Sequence, residues 1–416
     1  MTPRQVPGAP SVPEDGPVER VEVVVVGGGP AGAALATRLA GTGHEVVVLE
    51  RAPAWRWRAG GVFASPAAVT ALADVGLGGE ALAEVARPIP AMRVETPGGT
   101  TFRLTYGADD GGPLAVGFDR SRLDPRLLDL ARAAGASVRT GWMVGGVDPE
   151  TRTVTARHAT GVATLRAEVV VGADGLRSAV AHAAGVTRTA RLAPRLGLTY
   201  HLADPGAEVP RDARMRLVRD GYIGIAPVPG ARVNVGIVLG RSWRADVARR
   251  GARAVADALV AAIPAADDDP ARWRSGIPTD AVAGAWPIGH RVTRRAGPGW
   301  LLVGDAAGFL DPFTGEGLHR ALVSAELAAA AIDARARGRR GAFDAYQRAM
   351  TRRFLAKDAV SWLVQAFLAR PALFEYAARR VASRPSVRAT MGLVMGDLVP
   401  AGRALDPRYL AALLAP

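Results

Sequence analysis

Three glycines and one acid near the start of the chain have the spacing of a dinucleotide site. Gly27, Gly29 and Gly32 form a GxGxxG pattern, and Glu50 follows at the end of an apolar run. The first glycine allows a tight turn, the second lets a pyrophosphate approach the backbone, and the third lets a helix lie close to the sheet. The carboxylate of Glu50 would accept hydrogen bonds from a ribose, so the pattern predicts binding of a dinucleotide.

These four residues need a strand, a helix and a second strand to position them. A valine run over 21–26, a helical pattern over 33–40 and a second apolar run over 46–50 supply the three elements. The helix N-terminus would direct free N–H groups at phosphate. The same type of apolar strand returns at 300–305, so we predict an α/β fold.

Composition excludes several classes of function. The 416 residues carry a net charge of +13, almost all from arginine, because Lys357 is the only lysine. No basic run alternates with aromatic residues, so we expect no nucleic-acid binding. The absence of cysteine excludes disulfides, thiolate metal sites and cysteinyl-flavin attachment. Residues 1–18 predict a disordered tail without the apolar core of a signal peptide, and we expect a cytoplasmic protein without a membrane span.

The middle of the chain predicts antiparallel strands. A hairpin is indicated over 92–106, and three strands over 214–219, 222–228 and 232–239 are joined by two short turns. A helix over 242–262 and an acidic turn at 267–270 follow. Residues 340–416 are predicted to be helical. The helix over 354–368 has one apolar face, formed by Leu355, Ala359, Trp362, Leu363, Ala366 and Phe367. We interpret this face as core or lid packing, with peripheral membrane contact or a dimer surface as alternatives.

Three separated motifs, taken together, resemble a known family. The GxGxxG segment with Glu50, the turn over 172–175 with Arg177 and Ser178, and the segment 304–308 are similar to the three fingerprints of FAD-dependent monooxygenases of the p-hydroxybenzoate hydroxylase type. The resemblance covers about residues 20–330. Geranylgeranyl reductases and flavin halogenases share all three motifs, so the resemblance specifies the fold and FAD more closely than the reaction.

The resemblance implies a Rossmann-like FAD-binding domain of the glutathione reductase type, with an inserted antiparallel-sheet substrate domain and C-terminal helices. We assign 19–185 and 291–335 to the FAD-binding domain, with the hairpin 92–106 joining the substrate sheet. Residues 186–290 form the substrate domain, and 336–416 form the helical region.

The resemblance also implies the residues that bind FAD. Arg58 and Arg120 would contact the phosphates, Asp305 would accept a hydrogen bond from a ribityl hydroxyl, and Asp174 would lie near the flavin and serve NAD(P)H use. The helix that begins near Gly315 would stabilise negative charge on the reduced ring. The full predicted set is Gly27, Gly29, Pro30, Ala31, Gly32, Glu50, Arg51, Arg58, Arg120, Asp174, Gly304, Asp305, Pro312, Gly315, Gly317 and Leu318.

The family pattern is not matched throughout. Simple aromatic hydroxylases have an asparagine shortly after the last glycine of the flavin loop, where this chain has His319. The loop over 311–317 and the strand pair over 222–227 and 233–236 look more like the reductase branch. Halogenases place a lysine between flavin and substrate, and Lys357 in the C-terminal helices is poorly placed for that role.

Four side chains are candidates for acid–base chemistry near the ring: His319, Glu316, His290 and Tyr222. Each also has a structural interpretation. The histidines could be capping or packed turn residues, Glu316 could complement a helix N-terminus, and the tyrosine, like Tyr200, could be an amphipathic sheet residue.

The main functional hypothesis is an NAD(P)H-dependent FAD monooxygenase that hydroxylates or epoxidises a bulky apolar or polycyclic molecule of specialised metabolism through a flavin C4a-hydroperoxide. The alternative is a geranylgeranyl reductase-like enzyme that saturates C=C bonds, and a third hypothesis is a non-catalytic prenyl or lipid escort. NAD(P)H would bind transiently, because the chain has no second GxGxxG. The positive charge would suit a substrate bound to an acidic carrier protein.

Overall fold

A computed structural model of the chain describes residues 17–106, 114–188, 194–204, 209–263 and 276–414. Nearly all of the predicted tail, and the predicted acidic turn at 267–270, lie outside the described residues. No helix within these ranges is long and apolar enough to cross a membrane.

The strands in the described ranges are β1 (Val18–Val26), β2 (Val46–Glu50), β3 (Phe63–Ala64), β4 (Ala86–Ile89), β5 (Ala91–Glu95), β6 (Thr101–Thr105), β7 (Ala115–Phe118), β8 (Ser137–Thr140), β9 (Met143–Asp148), β10 (Thr153–His158), β11 (Gly161–Gly172), β12 (Thr187–Arg188), β13 (Arg195–Ala203), β14 (Ala213–Val218), β15 (Gly221–Val228), β16 (Arg232–Leu239), β17 (Ala283–Ile288), β18 (Arg291–Val292), β19 (Ala296–Gly297) and β20 (Trp300–Leu302).

The α-helices in the same ranges are α1 (Pro30–Ala40), α2 (Pro66–Ala73), α3 (Gly79–Val85), α4 (Arg120–Ala133), α5 (Ala179–Ala183), α6 (Arg244–Arg250), α7 (Ala252–Ala261), α8 (Gly317–Ala336), α9 (Ala342–Leu368), α10 (Pro371–Ser383), α11 (Pro385–Met395) and α12 (Pro407–Leu414).

A parallel sheet forms the first half of the molecule. Its strand order is β19-β20-β11-β1-β2-β8, and the neighbours are parallel except for β19 and β20. Strands β1 and β2 are valine-rich because helices cover both faces of such a sheet, and Val23, Val24 and Val25 are fully buried. Helix α1 packs on this sheet between α4 and α8. The structure therefore has the α/β fold and the Rossmann-like core that the sequence predicts.

An antiparallel sheet forms the second half, in the order β17-β13-β16-β15-β14-β5-β6. The predicted hairpin over 92–106 forms β5 and β6, and β5 joins this sheet by parallel pairing with β14. One face carries the buried side chains of Tyr200, Ile223 and Val235, which pack with α7 in one apolar cluster. The opposite face is turned toward a large cavity. The boundaries of the two domains stay predictions.

Two sequence-based predictions need correction. The helix predicted over 242–262 is two helices, α6 and α7, because Gly251 adopts φ +82 and interrupts the helical hydrogen bonds. The apolar face predicted for 354–368 does not begin at Leu355, whose exposed fraction is 65%. Helix α9 instead buries Phe354, Val360 and the polar Lys357, since its inward face meets charged groups on α8.

Candidate cofactor and substrate site

A cavity of about 890 Å³ lies between the parallel sheet, the antiparallel sheet and the C-terminal helices. Its volume falls in the range usual for sites of small ligands and cofactors. The GxGxxG turn and the segment 304–305 line one part of it, and apolar side chains of the antiparallel sheet and α9 to α12 line the other. Of the sixteen predicted FAD-binding residues, all except Gly32 line this cavity.

The GxGxxG turn leaves space for a ligand at one glycine and close packing at the other two. A Cβ at Gly27 would lie 2.5 Å from the carbonyl oxygen of Ala173, and one at Gly32 would lie 2.0 Å from the carbonyl oxygen of Gly27. No atom lies within 4 Å of the Cβ position of Gly29. Gly29 is also the N-cap of α1 and has no side-chain cap, so the first N–H groups of that helix face open space that fits a pyrophosphate.

Glu50 is held in position by the backbone. Its Oε2 accepts a hydrogen bond of 2.8 Å from the N–H of Gly28, and its Oε1 accepts one of 3.0 Å from the N–H of Ala52. The carboxylate is buried but borders the cavity. Each carboxylate oxygen has a further lone pair, so Glu50 can still accept a hydrogen bond from a ribose hydroxyl.

Arg58 and Arg120 are brought together by Asp124, a buried acid on α4. Asp124 Oδ2 accepts hydrogen bonds from Arg58 Nη2 at 3.2 Å and from Arg120 Nη2 at 2.6 Å. Both arginines border the cavity, and Arg51 lies exposed at its edge. The shared carboxylate holds two guanidinium groups at one wall, where they can bind phosphate.

Two acids in the cavity wall have carboxylate oxygens without partners. Asp174 Oδ2 accepts a 2.6 Å hydrogen bond from the N–H of Ala179, but its buried Oδ1 has no partner, and burial raises the pKa of Asp174. No described residue donates a hydrogen bond to the side chain of Asp305, and burial raises the pKa of Asp305 to about 6 in spite of Arg120. Two such acids need hydroxyl donors from a ligand, as the ribityl chain of FAD would provide.

The loop before α8 completes the cofactor half. Gly315 has φ +66, which favours glycine, and a Cβ there would lie 2.5 Å from the ring of Phe63. Pro312, Gly315, Gly317 and Leu318 border the cavity beside the start of α8. This arrangement directs the positive end of a twenty-residue helix at the ligand.

Among the candidate acid–base residues, Tyr222 is the one that the structure places in the cavity wall. Its hydroxyl donates a 2.6 Å hydrogen bond to Asp311 Oδ1, and Arg195 Nη1 lies 3.2 Å from Asp311 Oδ2. The ring of Phe313, from the loop before α8, meets the ring of Tyr222 edge-on at 5.1 Å. Burial and then the charge of Asp311 raise the pKa of Tyr222, so its hydroxyl keeps its proton.

The other three candidates lie outside the cavity lining. His319 is paired with Asp397 at 3.0 Å, and Glu316 bonds Arg320 at 3.2 Å. His290 donates through Nε2 to the carbonyl oxygen of Ala306 at 3.1 Å, and burial lowers its pKa. His290 is thus a packed turn residue, as its structural interpretation had it, whereas His319 and Glu316 make ion pairs that neither interpretation included. Tyr200 likewise lies on the opposite face of the sheet, beneath Arg253.

Sequence reasoning missed several residues of the site. The spacing of Arg120 and Asp124, four positions apart on a predicted helix, is a signal that could have identified the arginine clamp. Asp311 lies in the loop over 311–317, whose sequence looks more like the reductase branch. The residues that contact it, Tyr222 and Arg195, belong to strands that are far away in the chain. Lys357, the candidate considered for halogenation, is buried 2.7 Å from Asp397 and does not border the cavity.

Asp305→Asn is expected to make the FAD-free protein more stable near neutral pH. The folded-state pKa of about 6 exceeds that of an unfolded aspartate, so the folded protein binds the proton more tightly. Stability from this group is therefore fully present below about pH 4 and is lost as the pH rises through 6. Urea unfolding at pH 4 and at pH 8 measures how much the free energy of unfolding changes between the two values of pH. In Asp305→Asn that loss of stability should be smaller than in the wild type by on the order of 1–3 kcal/mol.

The exposed Asp129 provides the control, because its carboxylate contacts only Arg132 on the surface in the described structure. Asp129→Asn should leave the pH slope unchanged. An equal slope in the wild type and in Asp305→Asn would contradict the prediction.

A parallel α/β sheet with an open glycine turn at a helix N-terminus, a buried acid at the end of the second strand and unpaired carboxylates in the cavity wall is an arrangement that fits a flavin dinucleotide. The chain belongs to the FAD binding domain family, whose model matches residues 20–362. It is an FAD-dependent oxidoreductase.

Two named relatives are reductases. The chain is 29% identical over 337 residues to digeranylgeranylglycerophospholipid reductase 1 of Methanococcoides burtonii, covering 76% of each protein. It is 30% identical over 328 residues to the menaquinone reductase of Mycolicibacterium smegmatis, covering 74% of this chain and 76% of the relative.

Solved structures with the same fold include a geranylgeranyl bacteriochlorophyll reductase-like protein from Thermoplasma acidophilum. That structure has 23% identity and a TM-score of 0.76, and the match covers 95% of this chain and 99% of the other. The flavin-dependent brominase Bmp2 has 19% identity and a TM-score of 0.74, with 91% and 93% covered. At these identities both likenesses concern the fold alone.

Proposed function

We propose that this protein is an FAD-dependent reductase that saturates C=C bonds in a long apolar, isoprenoid-type molecule. This is the alternative of the sequence analysis rather than its main hypothesis of a monooxygenase. The observation that carries the proposal is that the cofactor half and an apolar half belong to one continuous cavity.

The apolar half suits a chain rather than a compact ring system. One wall is the sheet, with Met92, Val94 and Leu104 from β5 and β6, and the facing wall includes Leu363 and Phe367 of α9. Further apolar residues continue this surface along the remaining C-terminal helices, namely Phe374, Ala377, Ala378, Val381, Met391, Met395, Tyr409 and Leu413. A ligand buried there gains about 0.8 kcal/mol for each CH₂ group removed from water.

The names of the curated relatives support reduction. Both are called reductases, and one name specifies geranylgeranyl groups. Geranylgeranyl groups contain isolated C=C bonds, which are the bonds that we expect this chain to reduce. Monooxygenation has no comparable support among these names and becomes a competing outcome of the assay below.

FAD, when reduced, would supply the electrons and one hydrogen for saturation of the double bond, with NAD(P)H as its proposed reductant. The chain supplies orientation and a proton. Tyr222 is the proposed source of that proton: its ring borders the cavity against Phe313, and its hydroxyl, which donates to Asp311 in this structure, would turn toward the substrate. The apolar walls exclude water from that boundary.

The test is turnover of a geranylgeranyl lipid by the FAD-loaded protein supplied with NAD(P)H as reductant, with and without oxygen. We expect products that have gained two hydrogens per reduced bond, at the same rate without oxygen. A product that has gained one oxygen atom, and only in air, would instead establish the monooxygenase. Binding without any product would indicate the escort.

Tyr222→Phe is the matched variant, since it removes one hydroxyl and keeps the ring against Phe313. We expect turnover to fall about 100-fold while FAD binding is retained. Turnover equal to that of the wild type would remove Tyr222 from the chemistry but leave the reductase assignment intact.

A further inference from the structure

Four polar side chains, those of Thr199, His201, Asn234 and Asp280, form one hydrogen-bonded cluster at the antiparallel sheet. Asn234 Nδ2 lies 2.9 Å from Thr199 Oγ1 and 3.3 Å from His201 Nε2, and His201 Nδ1 lies 2.6 Å from Asp280 Oδ2. Thr199, His201 and Asn234 have exposed fractions of 3%, 1% and 4%. Burying polar groups costs free energy unless each is hydrogen-bonded, so the atoms of this cluster that have no protein partner are the ones to identify.

The cluster adjoins a part of the sheet where two glycines leave space within the cavity. Thr199 and Asn234 border the cavity directly, whereas His201 lies behind Asn234. Across the sheet Thr199 pairs with Gly236, and Gly236 pairs with Gly224. A Cβ at Gly224 or at Gly236 would have no neighbour nearer than 3.8 Å, so both glycines leave room for a ligand beside the two polar side chains.

The hydrogen bonds determine which atom of the Asn234 amide faces the space above Gly236. The Asp280 carboxylate can only accept, so the neutral imidazole of His201 donates to it through Nδ1–H and has Nε2 as an acceptor. Asn234 must then direct its NH₂ group at His201 Nε2 and Thr199 Oγ1. Its Oδ1 is left on the side of Gly236, 3.8 Å from the Cβ position of that glycine, and no described residue donates a hydrogen bond to it.

Thr199 is oriented by the same chain of contacts. Its oxygen accepts the hydrogen bond from Asn234, and no described residue accepts its hydroxyl hydrogen. The wall thus presents one acceptor, Asn234 Oδ1, beside one donor, the hydroxyl of Thr199. A substrate hydroxyl is the group that satisfies both, because it donates one hydrogen bond and accepts another.

We propose that Thr199 and Asn234 form a binding subsite for a hydroxyl group, alcoholic or phenolic, of the substrate. His201 and Asp280 are positioning residues that fix the Asn234 amide. The inference rests on the proposed function in that the remainder of the ligand is an apolar, isoprenoid-type chain. The subsite would fix how far such a chain enters the cavity, and so which double bonds reach the cofactor.

The experiment compares two probes with the FAD-loaded protein, geranylgeraniol and its methyl ether, by calorimetry or by the change in protein fluorescence. The ether keeps the chain and the oxygen but cannot donate to Asn234. We expect the wild type to bind the alcohol about tenfold more tightly than the ether, the value of one hydrogen bond. Asn234→Ala should reduce that ratio to near one while the Kd of the ether changes little. Thr199→Val, which keeps the branched shape but removes the donor to the ligand oxygen, should weaken the binding of alcohol and ether alike and keep the ratio.

Thr105→Val is the control, because Thr105 lies at the end of β6 in the same sheet and does not border the cavity. It should keep the tenfold ratio. Equal affinities of the wild type for alcohol and ether would overturn the subsite and leave the proposed substrate class standing. Binding of neither probe would overturn both. The wild-type comparison needs no variant, so it decides the question even if a substituted chain fails to fold.

Discussion

Gly32→Ala is expected to prevent the FAD-binding half from folding, whereas Gly29→Ala should fold and yet fail to hold FAD. A Cβ at Gly32 would lie 2.0 Å from the carbonyl oxygen of Gly27, a distance that α1 can relieve only by moving away from the sheet. Because α1 also packs on α4 and α8, that movement would disturb the core as well as the turn. We expect a loss of more than about 4 kcal/mol in the free energy of unfolding.

Gly29 provides the internal contrast. Its backbone has φ −71, which any residue adopts, and nothing lies within 4 Å of its Cβ position. Gly29→Ala should therefore unfold at the wild-type temperature when free of FAD. The added methyl group would occupy the space predicted for the pyrophosphate, so the purified protein should lack flavin absorbance. Thermal unfolding and flavin content, measured on both variants, separate the two effects. Normal flavin content in Gly29→Ala would show that the phosphates do not lie at this turn.

Asp397→Asn is expected to release the C-terminal helices from the FAD-binding half. Asp397, with φ +59, follows α11 and lies in a buried cluster with Lys357 at 2.7 Å, His319 at 3.0 Å and Ser65 at 3.0 Å. Ser65 caps α2, and His319 lies in the first turn of α8. An amide would leave the buried ammonium of Lys357 without its nearest counter-charge, which costs about 3–5 kcal/mol.

The pH dependence of Asp397 has the opposite sign to that of Asp305. Burial alone would raise the pKa of Asp397, but the His319 hydrogen bond and the Lys357 charge outweigh burial and hold the pKa below its usual value. Stability from Asp397 is therefore present above about pH 4 and is lost as the pH falls below it. Urea unfolding at pH 7 and at pH 3 should show a large difference between wild type and Asp397→Asn at pH 7 and a smaller one at pH 3.

Asp344→Asn is the matched control, since Asp344 is exposed and lies 4.0 Å from Arg294. We expect its effect to stay within about 0.5 kcal/mol at both values of pH. An Asp397→Asn protein as stable as this control would mean that the cluster does not hold the helices in place.

The sequence predicted those parts of the fold and site that depend on local pattern. Valine runs, glycine spacing and the acid at the end of β2 are close together in the chain, so their geometry follows from the βαβ unit. The same holds for the hairpin of β5 and β6 and for the strands β14 to β16, whose turns set the register.

The parts that sequence reasoning missed depend on long-range contacts between polar side chains. His319 was a reasonable acid–base candidate from its place beside the flavin loop, but Asp397, from the far end of the chain, pairs with it. Asn234 lies in β16, a strand that the sequence predicts correctly. Its partner His201 belongs to β13, however, and Asp280, which bonds His201, precedes β17. Hydropathy carries no information about such pairings. The apolar face assigned to α9 was accordingly right in part, since Leu363 and Phe367 border the cavity whereas Leu355 is exposed.

The parallel pairing of β11 with β20 also bears on how the chain is made on the ribosome. Val170 pairs with Trp300, so the central sheet stays open on one side until a segment about 130 residues further along has been synthesised. At elongation rates of about 5–20 residues per second, this interval is on the order of 7–26 s. Throughout it, the nascent valine-rich edge of β11 is available to pair with the wrong partner, and chaperone protection during translation should raise the yield of native protein more than any later refolding step.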